Sequence, residues 1–159
     1  MKILWAPWRM KYIRSCSKDS ECFLCRALSE DKDEENLILL RGEKSFIIMN
    51  RYPYNNGHLM IAPKRHVGDI LQLNDDELIE MIKMIKLAVK ALKSEYNPDG
   101  FNIGLNLGRA AGAGLEDHLH IHIIPRWVGD TNFMPLISET KTIPELLTES
   151  YSRLKKYFE

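Results

Sequence analysis

The sequence predicts an α+β domain, an antiparallel β-sheet with helices packed mainly on one face, and three observations carry that expectation. Short apolar or β-rich runs at 37–40, 45–50, 58–62 and 101–107 are separated by residues that favour turns. One long stretch opening at Asn74 repeats its apolar residues at helical spacing. The segment 118–123 alternates histidine with leucine or isoleucine, the period of a half-buried strand.

Taken in order, residues 1–20 read as an N-terminal docking arm and 21–159 as one domain. Trp5 and Trp8 flank Pro7 and are too apolar to stay loose in water, so the arm is expected to dock. Leu37–Leu40 is a short apolar run closed by Gly42, Ser45–Asn50 is β-rich, and His58–Ala62 follows after a loop of Tyr, Pro, Asn and Gly. Strands this close in sequence suggest an antiparallel meander. Asn74 is placed to cap a helix, with Glu77 where a capping box wants an acid. Leu78, Met81, Ile82, Ile85, Ala88, Val89 and Leu92 form its apolar stripe, read as core, and Asn97-Pro98-Asp99-Gly100 stops it. Phe101–Leu107 reads as a strand, 127–135 as a loop, and about 143–157 as a last helix packed through Leu146, Leu147, Tyr151, Leu154 and Phe158.

Bulk properties narrow the function classes. The chain has 159 residues, 45% hydrophobic and 28% charged, with 22 basic residues against 22 acidic ones. A net charge of zero argues against nonspecific nucleic-acid or membrane binding, yet leaves room for a small anion in a local pocket. No apolar run approaches the roughly 20 residues of a membrane span. The first residues lack the apolar core of a secretory signal, and the three cysteines, two of them in Cys22-x-x-Cys25, suit a reducing cytoplasm better than a disulfide framework.

The chemistry gathers at Asp117-His118-Leu119-His120-Ile121-His122-Ile123-Ile124-Pro125-Arg126. Three of the chain's five histidines stand at every second position, on one face of an extended segment. Same-face residues are about 6.6–7 Å apart, so the outer pair is separated by roughly 13 Å at the backbone, too far to close one tetrahedral metal site unaided. The three are expected to divide the work, one completing a site built from elsewhere and the others facing a ligand. Asn106 opens a stretch with three glycines, Gly108, Gly112 and Gly114, placed directly before the histidines, and such a loop can turn backbone N–H groups toward phosphate. Cys22-x-x-Cys25 stands as a redox pair, half a zinc site or two incidental thiols; two thiolates need two more ligands, and histidines are the available partners.

His118-x-His120-x-His122 followed by Ile123-Ile124-Pro125-Arg126 resembles the signature of the histidine triad (HIT) family of nucleotide-binding hydrolases and transferases. Cys22-Phe23-Leu24-Cys25, Asn50-Arg51-Tyr52-Pro53, Gly57 to His66, and Asn106 with Ala111-Gly112-Ala113-Gly114 extend the likeness from Cys22 to about Trp127. The arm's Trp5-Ala6-Pro7-Trp8-Arg9 and the loop after the triad look like the branch that contains diadenosine tetraphosphate phosphorylases. The resemblance implies His120 as nucleophile toward the α-phosphorus of an adenine nucleotide, with His122 and His58 stabilising the phosphoryl oxygens. It implies Asn50 on the ribose hydroxyls, and Asn106, Gly112, Ala113 and Gly114 along the phosphates. It implies zinc on Cys22, Cys25, His66 and His118, no organic cofactor, and a homodimer; Cys16 matches no part of that pattern. Many hydrolases of the family carry Gln-Ser or Gln-Thr where this chain has Ala113-Gly114, so only backbone donors carry over there. His122, in place of the Gln of galactose-phosphate nucleotidyltransferases, favours a phosphorylase or a hydrolase. Three readings follow: a phosphorylase or adenylyltransferase splitting diadenosine polyphosphates with inorganic phosphate; a hydrolase releasing AMP from dinucleoside polyphosphates or nucleoside phosphoramidates with water; and a nucleotide-binding protein of low turnover.

Overall fold

The computed structural model describes residues 22–130 and 143–159; the docking arm and residues 131–135 of the expected loop lie outside them. Five strands form one antiparallel sheet: β1 (Ile38–Arg41), β2 (Ser45–Met49), β3 (Leu59–Pro63), β4 (Gly100–Leu105) and β5 (Ile121–Arg126), in the order β1-β2-β3-β5-β4. The first three make the expected meander. The last two do not, because β5 enters between β3 and β4 and leaves β4 at the edge. In this position β5 pairs on both sides, Ile121 with Ile61 and Leu105, His122 with Met60 and Gly104.

Helix α1 (Phe23–Ser29) and the short α2 (Asp33–Asn36) precede β1; the long α3 (Asp75–Tyr96) links β3 to β4, and α4 (Leu147–Lys155) closes the described chain. Asn74 Oδ1 accepts from Glu77 N at 2.9 Å while Glu77 Oε2 accepts from Asn74 N at 2.9 Å, the reciprocal capping box that the sequence called for. Glu77 also meets Arg65, just beyond β3, at 2.9 Å, so the same carboxylate that starts α3 ties it to the sheet. At the other end Asn97 adopts φ 43°, a left-handed stop.

Two apolar clusters lie on opposite faces of the sheet. Met81, Met84, Ala88 and Leu92 of α3 and Tyr151 and Leu154 of α4 pack on Leu39, Ile47, Leu59, Ile61, Leu119, Ile121 and Ile123. Leu24 and Ala27 of α1 pack on Ile38, Phe46, Ile48, Met60 and Ala62. The strict in-and-out alternation of β2 and β3 thus feeds both layers, which is why all ten of their residues are buried. Two expected core residues are instead exposed: Ile82, on the outer side of α3, and Leu146, which precedes the first turn of α4. Among the described residues no helix is long and apolar enough to cross a membrane.

Candidate active site

The alternation of the triad places its apolar residues as expected, Leu119, Ile121 and Ile123 beneath α3. The regular strand, however, starts only at Ile121. Upstream, Leu119 N donates to Val67 O at 2.7 Å and the His118 carbonyl accepts from a ring, so neither group joins a ladder.

His120 Nδ1 lies 2.9 Å from His118 O. A carbonyl only accepts, so Nδ1 carries the proton and Nε2 presents a lone pair. The ring is 9% exposed; burial holds its pKa below the usual histidine range, partly offset by the bond to His118 O. A neutral imidazole of this tautomer is the form a nucleophile needs.

A second chain of bonds fixes two more rings. Tyr54 N–H donates to His58 Nδ1 at 3.1 Å, which makes that nitrogen an acceptor. His58 therefore donates from Nε2–H to His122 Nδ1 at 2.9 Å, and His122 carries its own proton on Nε2. His58 is 1% exposed. The Tyr54 ring covers both, with centroids 4.8 Å from His58 and 5.9 Å from His122. His122 stands edge-on to His120 at 4.8 Å. The site thus pairs one lone pair, on His120, with one N–H donor, on His122.

His118 turns the other way. Its Nε2–H donates to Pro63 O at 2.8 Å, and its Nδ1 faces Cys22 Sγ at 3.3 Å and Cys25 Sγ at 3.5 Å. His66 Nδ1 approaches Cys25 Sγ at 3.2 Å. The four donor atoms lie within 4.8 Å of one another. Zinc bonds of about 2.0–2.3 Å to nitrogen and sulfur set tetrahedral donors roughly 3.4–3.8 Å apart, so this quartet fits a metal ion of that kind with little rearrangement. Helix α1 explains the spacing: Cys22 is its N-cap residue and Cys25 sits one turn on, which puts both thiols on one side. Burial lowers the pKa of His118 while the Pro63 bond opposes, a shift toward the neutral ring, which is the ligating form.

The remaining expected residues lie in the loops that follow β2 and β4. Asn50 directly follows β2; its Oδ1 accepts from Tyr52 N at 2.8 Å and its N donates to His58 O at 2.9 Å, so it shapes the turn that delivers His58. Asn106 Nδ2 reaches Gly112 O at 3.4 Å across the glycine loop. Gly108 and Gly112 have φ 75° and 89°, which is why glycine stands at both. Gly112 N donates to Arg109 O at 2.9 Å and Ala113 N to Gly108 O at 3.3 Å. These two amides serve a 3-10 turn over Arg109–Ala111 and must exchange partners before they meet a phosphate. A cleft of about 650 Å³ runs beside the quartet between His66–Asp69 and Glu116–Asp117. Its carboxylates make it a poor seat for a polyphosphate, and His120 and His122 do not line it. Sequence reading missed Tyr54 and the carbonyls of Pro63 and Val67, since backbone groups leave no residue-type signal and Tyr54 sits in a loop without periodicity.

Comparison with known proteins identifies the family. A Mycobacterium tuberculosis protein named AP-4-A phosphorylase is 40% identical over 154 residues, covering 92% of this chain and 79% of that protein. Bis(5'-adenosyl)-triphosphatase of Dictyostelium discoideum is 33% identical over 89 residues, 56% of this chain and 59% of that protein. A crystal structure of a hypothetical histidine triad nucleotide-binding protein from Sulfolobus tokodaii strain7 superposes with a TM-score of 0.67 at 32% identity, covering 86% of this chain and 88% of that one. With the HIT domain model matched over residues 31–128, the chain belongs to the HIT family.

Proposed function

We propose that this HIT-family enzyme cleaves diadenosine polyphosphates through a nucleotidyl-histidine and passes the nucleotidyl group to inorganic phosphate. The observation that carries the reading is the orientation of His120, whose Nδ1–H is held by His118 O so that Nε2 is the free lone pair. In the first step His120 Nε2 bonds to the α-phosphorus and the bond from that phosphorus to its bridging oxygen breaks, releasing the rest of the nucleotide with its oxygen. In the second step a phosphate oxygen bonds to the same phosphorus, the P–N bond breaks and ADP leaves. Splitting the displacement in two is what covalent catalysis offers. Charge on the phosphoryl oxygens is met by His122 Nε2–H, whose tautomer His58 and Tyr54 N–H hold in place. Asn50, Asn106, Gly112, Ala113 and Gly114 form the nucleotide and phosphate rim. The 40% identity to a protein named for AP-4-A phosphorolysis favours phosphate as acceptor.

Cys22, Cys25, His66 and His118 hold zinc in this reading. A closed Cys2His2 site supplies folding energy and no open coordination position. The enzyme works as a homodimer paired through β4, an edge strand on which Asn102, Ile103 and Gly104 are exposed. A lysine replacing Ile103 should shift the mass in solution from two chains to one.

The decisive test is product analysis on diadenosine tetraphosphate with and without inorganic phosphate, beside His120→Ala. ADP and ATP formed only with phosphate, and lost in the variant, support the proposal. ATP and AMP formed without phosphate replace it by hydrolysis. Tight nucleotide binding without turnover points to a binding role.

A further inference from the structure

We infer that Gly68 is a positioning residue for His120, because residues 63–68 stand in for the strand pairing that the triad lacks upstream of Ile121. The inference rests on His120 as the nucleophile and adds a backbone brace behind it. β3 stops at Pro63 and its pairing with β5 stops at Ile61 and Ile121. Yet His118 and His120 lie before that point, and their placement needs another support. The chain supplies it directly after β3. Pro63 O accepts from His118 Nε2–H at 2.8 Å, and Val67 O, in a residue 3% exposed, accepts from Leu119 N–H at 2.7 Å. Gly68 then lies flat on Glu116 and Asp117. A methyl group on Gly68 would stand 3.0 Å from Asp117 Cα and 3.2 Å from its carbonyl carbon, with Glu116 O well inside van der Waals contact.

All three of those atoms are backbone, so no side-chain rotation relieves the clash. The displaced unit would be the peptide leading into His118, whose carbonyl holds His120 Nδ1–H. Movement there reaches the nucleophile within two residues. Misplacement of a reacting group by about 1 Å costs on the order of 100-fold in rate. Gly42 offers a matched control. A methyl there would run into Met84 Cε and Glu80 Oε1 and stand 3.0 Å from Ser45 O, so its three nearest neighbours all lie outside 63–68 and 116–122, although Ser45 pairs with Pro63 across β2 and β3.

The test compares Gly68→Ala and Gly42→Ala in the full-length protein, reading melting temperature, kcat and KM on diadenosine tetraphosphate, and the His120 Nδ1–H resonance by 15N-edited NMR. Both variants should lose stability. Only Gly68→Ala should weaken the protected Nδ1–H signal and lower kcat by roughly 10–100-fold with KM changed less than about threefold. Equal kcat losses in the two variants, or a Gly68→Ala protein with an intact signal and rate, would overturn the inference. If Gly68→Ala fails to fold, hydrogen exchange in the wild type decides. The Leu119 amide and the His120 Nδ1–H should open together and apart from the Ile123 amide, and independent opening of the two would sink the brace. A wild type without turnover defeats the nucleophile reading, while the exchange and NMR comparison still decides whether Gly68 holds the ring.

Discussion

Replacing His58 by alanine should uncouple the donor side of the site from its nucleophile side. The ring is 1% exposed and bonded at both nitrogens, to Tyr54 N–H at 3.1 Å and to His122 Nδ1 at 2.9 Å. Truncating a buried ring to alanine costs about 3–5 kcal/mol. Orphaned polar groups add about 1–3 kcal/mol each where they stay dry. His122 is half-buried, so water can enter on its side, and a total near 4 kcal/mol is the expected loss. At about 2–4 °C per kcal/mol for a chain of this length, the melting temperature should fall by roughly 8–16 °C. The catalytic effect has a separate origin. Without His58 Nε2–H, the donor that faces His122 Nδ1 is lost, and the lone pair of His122 can turn to the phosphoryl oxygens. Loss of one such donor typically costs about 10²–10³ in kcat. Leu92→Ala, at a fully buried position of α3 in the apolar cluster, supplies the same order of destabilisation while leaving every histidine side chain in place. Both variants would be assayed at 25 °C, with long-range 15N–1H correlation to read the His122 tautomer. A His58→Ala protein that keeps the Nε2–H form of His122 and a kcat near that of Leu92→Ala would refute the relay.

Three further outcomes are expected. Cys25→Ser should lower bound zinc, measured by atomic emission on protein purified without chelator, and should lower the melting temperature to that of chelator-treated wild type, because Cys25 Sγ faces both His66 and His118. Asn74→Ala removes the acceptor for Glu77 N and should cost about 0.5–2 kcal/mol in denaturant unfolding with no change in KM. Glu95 should contribute to acid stability. Lys156, then Arg153 and Tyr157, hold its pKa at about 2 against an ordinary 4.5, with burial opposing. A depressed carboxylate stabilises above its unfolded value, so this contribution is whole above about pH 4.5 and disappears as pH falls toward 2. Arg153 and Lys156 are about half exposed and screened, which limits it to about 1 kcal/mol, and Glu95→Gln should flatten the stability profile in that window.

What the sequence made legible, and what it hid, divides along the range of the interactions. The capping box at Asn74 and Glu77 was readable because all its partners lie within three residues. The burial of Leu119, Ile121 and Ile123 was readable from the period of two alone. The insertion of β5 between β3 and β4 was not, since pairing Ile61 with Ile121 depends on chain closure over 60 residues that no local pattern encodes. Helix α1 went unread because its seven residues carry too few periods for a helical stripe, although that helix is what sets both cysteines on one side. Exposed Ile82 shows the limit of the stripe itself: α3 rests on a sheet that covers only part of its apolar arc, and the sequence does not say how wide the covering layer is.

The two-residue spacing of the triad has a reason that appears only when both clusters are in view. His118 serves Cys22 and Cys25 with its ring and His120 with its carbonyl. In an extended chain the ring of residue i can fold back to the carbonyl of residue i−2, whereas the side chain of residue i−1 points to the opposite face. A spacing of two therefore lets one histidine be fixed through its side chain while fixing the next through its backbone, with Leu119 between them anchoring the peptide in the core. Moving the first histidine by one position would turn its ring into the apolar layer under α3 and leave Cys22 and Cys25 without their shared partner. The alternation is thus more than strand patterning: it makes the orientation of His120 depend on Pro63, Val67, Gly68, Cys22, Cys25 and His66, groups separated from it by more than 50 residues of chain. Any change that loosens that support should appear in the tautomer and exchange of one imidazole before it appears in the global fold.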